Sequence, residues 1–390
     1  MTLPLGPAST LPTDATAGTL VGRVWRPGIG PSVVAVRADG VFDISRAFPT
    51  MRDLCEASDP AAAVASARTE RIGDLGGILT NTAEVARDAG KPWLLAPIDL
   101  QAIKAAGVTF AISLLERVIE EQARGVPERA AQARADVEKA LGGAVEKIKP
   151  GSAAAMELKK VLQDKGLWSQ YLEVGIGPDA EIFTKAQPMS AVGTGAAIGV
   201  LKSSTWNNPE PEVVVVVNSR GAIVGASLGN DVNLRDLEGR SALLLGKSKD
   251  NNASTAIGPF VRLFDRTFSL DDMRRTQVRL TVEGTDGFRL DGSSDVGKIS
   301  RDPADLVAQM VGPHHQYPDG AVLFLGTMFA PVKDRDAPGM GFTHHADDVV
   351  TIAADRLGAL VNVVTTCDQA PPWTFGAADL MRNLAKRGLL

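Results

Sequence analysis

A chain of 390 residues, 44 % hydrophobic and 22 % charged, can bury a full core and is long enough for two or three domain-sized units. Its net charge of −5 is spread thinly, without a block of five or more like charges, which argues against nucleic acid or another polyanion as partner. The start lacks a basic, apolar leader, no stretch approaches the roughly 18 apolar residues of a membrane span, and Cys55 and Cys367 make neither a disulfide framework nor a zinc site; a cytoplasmic protein with no membrane partner is expected.

From Gly18 to about Ile44, the runs GTLVGRVW, SVVAVRAD and GVFDI, separated by Gly and Pro, predict short strands and a small α+β domain over residues 1–92. Residues 60–90 are alanine-rich without an apolar stripe, and Pro92, Pro97 and the apolar WLLAPI read as a linker into a second domain, residues 93–390. Phe110, Leu114, Leu115, Val118 and Ile119 share one helix face. Residues 112–166, punctuated by Gly142, Gly143, Pro150 and Gly151, read as a mostly helical insertion or lid. From about Leu172 the runs EVVVVV, AIVGASL, QVRLTVEG, AVLFLG, DVVTIAA and LVNVVTT predict a β-rich main domain. Several are apolar on both faces, as in a sheet covered by other layers. The expected class is α+β, mostly β.

Glu210-Pro211-Glu212 leads into five valines, and Asn218-Ser219-Arg220-Gly221 turns the chain before Ala222–Leu228, which predicts a hairpin. Pairing Val217 with Ala222 sets Glu212, Glu210 and Asn208 opposite Ser227, Gly229 and Asp231, all six on one face. Glu210, Glu212 and Asp231 would repel one another without a cation between them, and oxygen ligands select Mg²⁺ or Mn²⁺. The competing reading is a solvated strand entrance. Lys249, in the polar string KDNNAS, would offset the negative charge and carry a proton, or stand on the surface with Arg240 and Lys247.

Phe183-Thr184-Lys185, Pro188-Met189-Ser190, Glu210-Pro211-Glu212, Gly229–Leu237, Lys249 with Gly258-Pro259, Ser293-Ser294-Asp295, Tyr317-Pro318-Asp319-Gly320, Gly326-Thr327 and Leu360-Val361-Asn362 follow in a fixed order. This order, over about residues 94–365, resembles the successive blocks of the fumarylacetoacetate hydrolase family. The resemblance implies a mixed β-roll catalytic domain, Mg²⁺ (Mn²⁺ possible) held by Glu210, Glu212 and Asp231, Lys249 reaching into the site, and a homodimer or homotetramer. It also marks Ser113, Ser254, Thr327 and Arg235 as candidate substrate contacts, with Ala253 at the usual threonine position.

Hydrolases of that family carry a lid His-x-x-Glu pair. The matching string here is Ser113-Leu114-Leu115-Glu116, and all four histidines (His314, His315, His344, His345) lie elsewhere, which suits loop or packing roles. Metal-assisted enolisation therefore fits better than hydrolysis. The strings APIDLQAIKAAGVTF, WNNPEPE and GNDVNLRDLEGRSALLL are similar to those of 2-keto-3-deoxy-D-pentonate dehydratases, which implies dehydration of a small 2-keto-3-deoxy sugar acid to 2,5-dioxopentanoate. Lys249 or Glu116 would be the base, with Glu120 and Glu121 competing on the same helix. The alternatives are a hydrolase or decarboxylase of a 2,4-diketo acid, and a non-catalytic protein on the same scaffold.

Overall fold

The computed structural model describes residues 3–390 except 4, 142–147, 165, 167, 330 and 332; the punctuation expected at Gly142 and Gly143 lies outside the described residues. The strands in chain order are β1 (Leu20–Arg26), β2 (Gly30–Arg37), β3 (Gly40–Asp43), β4 (Glu70–Gly73), β5 (Trp93–Leu95), β6 (Ala102–Gly107), β7 (Glu181–Ala186), β8 (Ala197–Val200) and β9 (Asn207–Asn208). Then follow β10 (Pro211–Val217), β11 (Ile223–Asp231), β12 (Asn233–Leu234), β13 (Thr255–Leu263), β14 (Gln277–Glu283), β15 (Arg289–Asp295), β16 (Ala321–Phe324), β17 (Val349–Ala354) and β18 (Gly358–Thr366). One sheet runs β4-β3-β2-β1-β13-β11-β10-β16-β6-β7, with β5 on β1; a second runs β15-β14-β17-β18-β8, and β9 pairs with β12.

The five-valine run shows why the large sheet sits inside the molecule. Val213, Val215 and Val217 point into one core with β14, β17 and β18, whereas Val214 and Val216 point into another with Val21, Val33, Ile257 and Val261. A strand buried on both faces has no polar alternation to offer, and every residue of β10 is buried.

The expected strands before residue 92 do form, yet they continue the main sheet: β1 lies antiparallel to β13, and the predicted linker holds β5, paired with β1. The hairpin β10–β11 forms with a different register. Glu212 faces Gly229 rather than Ser227, and Val217 faces Ile223 across a bulge. The Asn218 carboxamide oxygen accepts from the backbone N–H of Arg220 and of Ala222, and Gly221 takes φ +81°, so the loop is longer than four residues. The shift along most of the hairpin is two residues, so each side chain keeps the face expected of it.

Between β6 and β7 lie the helices Ala111–Ala123, Ala130–Leu141, Ala153–Asp164 and Gln170–Ile176. Leu114, Val118 and Ile119 pack with Ala133, Val137, Leu162 and Leu172 in a core of their own. The Ser113 hydroxyl caps the first helix, accepting from the Phe110 N–H and donating to its carbonyl; Arg124 and Gly125 end it at positive φ. By the described residues helices hold 28 % and strands 29 %, and these four helices supply a large part of the helical share. No helix among the described residues is long and apolar enough to cross a membrane.

Candidate metal centre

Glu210 stands just before β10, Glu212 is its second residue, and Asp231 ends β11. The pairing is locked where the carboxylates meet: the Asp231 N–H donates to the Glu210 carbonyl at 3.1 Å, and the Glu210 N–H donates to the Asn230 carboxamide at 3.2 Å. Gly229 clears the space opposite Glu212, since a Cβ there would lie 2.3 Å from the Phe324 ring and 2.6 Å from Val214. One oxygen from each of the three carboxylates falls within 4.8 Å of the others. They are 9 %, 3 % and 2 % exposed, so water does not screen their repulsion.

Two lysines answer this charge. Lys249 ends the short helix Leu245–Lys249, and its ammonium lies 3.0 Å from Asp231, 3.2 Å from Glu238 and 3.4 Å from Glu210. Lys185, on β7, is fully buried, 3.3 Å from Asp231, and donates to the carbonyls of Lys249 and Ser254. From the helix Ala111–Ala123, Arg117 pairs with Glu210 at 3.0 Å and with Glu120 and Glu238 at 2.9 Å. Glu181, also on β7, turns its carboxyl to where Gly107 leaves room; a Cβ at residue 107 would lie 2.1 Å from it.

The charges around the pocket do not close. Glu181, Glu210, Glu212, Asp231 and Glu238 face Lys185, Lys249 and Arg117, which leaves two negative charges. Burial and its carboxylate neighbours push Glu212 well above its ordinary range, and burial pushes Glu210 up to about 7 and Glu181 upward. Asp231 is held down, because its two lysines outweigh its burial, and Lys249 is held as ammonium because the surrounding carboxylates outweigh its own burial. Three converging oxygen donors and a deficit of two charges fit one hard divalent cation.

The pocket is lined by the trio together with Ser113, Arg117, Tyr171, Glu181, Phe183, Glu238, Lys249 and Thr327. Of the residues expected here, Lys249, Ser113 and Thr327 are on its wall. Glu116, Arg235 and Ser254 are not. Glu116 is gripped by Arg134 at 2.8 Å and Arg235 at 3.2 Å and does not line the pocket, which leaves Lys249 as the candidate base of the two that stands on its wall. Arg235 is spent on Glu116 and Glu120 and stacks 4.6 Å over Trp206. The Ser254 hydroxyl donates to the Lys249 carbonyl at 2.9 Å, so it shapes the lysine's loop. The histidines pack or line loops: buried His344 bonds Asp348, His345 bonds Asp336, and His314 and His315 are exposed in a turn.

Arg117, Glu181, Lys185 and Glu238 were not singled out from sequence. Alternation along β7 carries part of the signal, because residues 181, 183 and 185 share one strand face. Arg117 falls four residues after Ser113, hence on the same helix face.

Residues 163–365 match the family model for the C-terminal part of fumarylacetoacetate hydrolase. A probable 2-keto-3-deoxyxylonate dehydratase from Haloferax volcanii is 28 % identical over 86 % of this chain and 95 % of its own. A 2-dehydro-3-deoxy-D-arabinonate dehydratase from Saccharolobus solfataricus is 33 % identical over 47 % of this chain and 58 % of its own. Among solved structures, a 2-keto-3-deoxy-D-arabinonate dehydratase complexed with magnesium and 2,5-dioxopentanoate superposes with a TM-score of 0.62 at 21 % identity, covering 89 % of this chain and 99 % of that one. At that identity it establishes the fold.

Proposed function

The chain belongs to the fumarylacetoacetate hydrolase family, and on that premise we propose that it is a Mg²⁺-dependent hydro-lyase converting a 2-keto-3-deoxy-D-pentonate to 2,5-dioxopentanoate. The observation that carries the reading is the buried trio of Glu210, Glu212 and Asp231 in a pocket two positive charges short. The dehydratases among its relatives supply the substrate class.

When bound by the trio, the cation would polarise the 2-keto group and acidify the C3 protons. The side chains divide the remaining work. Glu181, raised by burial and lining the pocket, takes the C3 proton in its carboxylate form. Lys249, kept as ammonium by the surrounding carboxylates, gives a proton to the C4 hydroxyl, which leaves as water. A shift of a proton from C5 to C3 and one from the C5 enol oxygen to C4 then give the aldehyde, with no other reactant. Ser113 and Thr327 on the pocket wall are the groups suited to bind the substrate's hydroxyls. No histidine is among the described residues lining the pocket, which favours dehydration over a hydrolysis that would use the lid His-x-x-Glu pair on water.

The same reading makes the protein a cytoplasmic homodimer or homotetramer, which light scattering of the purified protein tests. The decisive assay is incubation with Mg²⁺ and 2-keto-3-deoxy-D-pentonate, coupled to a semialdehyde dehydrogenase and NAD(P)⁺. Reduced cofactor is expected; its absence, or release of pyruvate instead, sinks the dehydratase reading.

A further inference from the structure

We propose that Arg117 is a positioning residue that couples occupancy of the metal site to closure of the helix Ala111–Ala123, an inference that rests on the metal reading above. The helix reaches the pocket through Ser113 and Arg117. Ser113 is bound to the backbone of Phe110, so Arg117 alone of the two crosses to another element. Its guanidinium, 13 % exposed, gives one nitrogen to Glu210 Oε1 at 3.0 Å. The other serves Glu120 and Glu238 at 2.9 Å and Asn233 at 3.1 Å. These partners lie on its own helix, at the mouth of β10, on β12 and on the short helix Arg235–Glu238. With its donors engaged this way, Arg117 is no receptor for a substrate carboxylate. It is the rivet that ties its own helix to three other elements.

Lys249 approaches the other oxygen of Glu210, Oε2, at a looser 3.4 Å. The Glu210 carboxylate is therefore oriented by a close bond on Oε1, while Oε2 remains available to a cation. Two effects of Arg117 on a bound metal oppose each other. Its positive charge repels a divalent ion, so removing it would tighten binding; its hold on a ligand carboxylate aims that ligand, so removing it would weaken binding, by about 10–100-fold for a lost partner of this kind. The fork geometry and multiple engagement favour orientation. By reciprocity, whatever closure contributes to metal affinity the metal contributes to closure.

Mg²⁺ is titrated by calorimetry into the full-length wild type, Arg117→Ala and Arg117→Lys, with amide hydrogen exchange of residues 111–123 followed without and with saturating Mg²⁺. The wild-type helix is expected to gain protection on Mg²⁺ binding. Arg117→Ala raises the Kd about 10–100-fold and abolishes the Mg²⁺-dependent part of the protection; Arg117→Lys, which keeps the charge without the fork, recovers part of both. Unchanged or tighter binding in Arg117→Ala, or protection that still responds to Mg²⁺, overturns the inference. If Arg117→Ala does not fold, wild-type affinity in Arg117→Lys overturns it. A wild type that does not bind Mg²⁺ overturns the metal reading itself, which separates the two failures.

Discussion

Two gatherings of buried charge flank the helix Ala111–Ala123, and they differ in one respect. On one side Glu116 and Glu120 meet Arg134 and Arg235, two acids against two bases, with Glu120 shared with Arg117 of the second gathering. On the other, five carboxylates meet three cations. A cluster that the protein neutralises with its own side chains holds elements together; one left short of positive charge is built to receive it from outside.

The comparison breaks hardest at the trio. Glu212→Gln is expected to abolish calorimetric Mg²⁺ binding and lower kcat/KM on the order of a thousandfold, and wild-type Mg²⁺ affinity in this variant would place the metal elsewhere. Within the same pocket, Glu181→Gln should lower kcat about a hundredfold while Mg²⁺ still binds, which separates proton transfer from ligation.

On the balanced side, Glu116→Gln is expected to leave kcat near that of the wild type and lower the stability by about 2–3 kcal/mol, because it leaves buried Arg235 short of a partner. The urea midpoint measures this; a large fall in kcat with unchanged stability would return Glu116 to the chemistry.

The smallest effect sharpens the contrast through pH. In EDTA the folded chain holds the Glu210 proton up to about pH 7, whereas the unfolded chain releases it near the ordinary 4.5. Between those values the folded state binds more protons, so stability falls as pH rises through the window. Asp231, held down instead, acts only below its ordinary 3.8. The melting temperature in EDTA should therefore drop by a few degrees from pH 5 to 7.5, and the protection given by Mg²⁺ should grow over the same range. A melting temperature that rises across this interval would contradict the raised Glu210.

The trio was legible because strand alternation survives an error of register. The turn was read one residue too short and the bulge beside it went unread, since the sequence does not announce that the Asn218 side chain closes a wider loop, yet the resulting shift of two leaves every side chain on its face. Helix geometry was less forgiving. Residues 116 and 117 are neighbours in the chain and about 100° apart around the helix, so the family motif drew attention to Glu116, which faces Arg235, and passed over Arg117, which meets Glu210. Glu181 was hidden for another reason: its place depends on the absent side chain of Gly107, on a different strand, and no local pattern records a long-range vacancy. The continuation of the sheet through β1 was equally non-local, because a strand's neighbour is not written in its own residues.

That continuation has a practical bearing on any shortened form of the protein. Removing the first ninety residues would strip β1, and the strands beyond it, from β13, and bare a margin of a nine-residue strand with every position buried, next to the strand that carries Asp231. Such a margin invites pairing with other chains, so the truncated product should be found in the pellet, and the catalytic half cannot be prepared simply by cutting at the apparent junction.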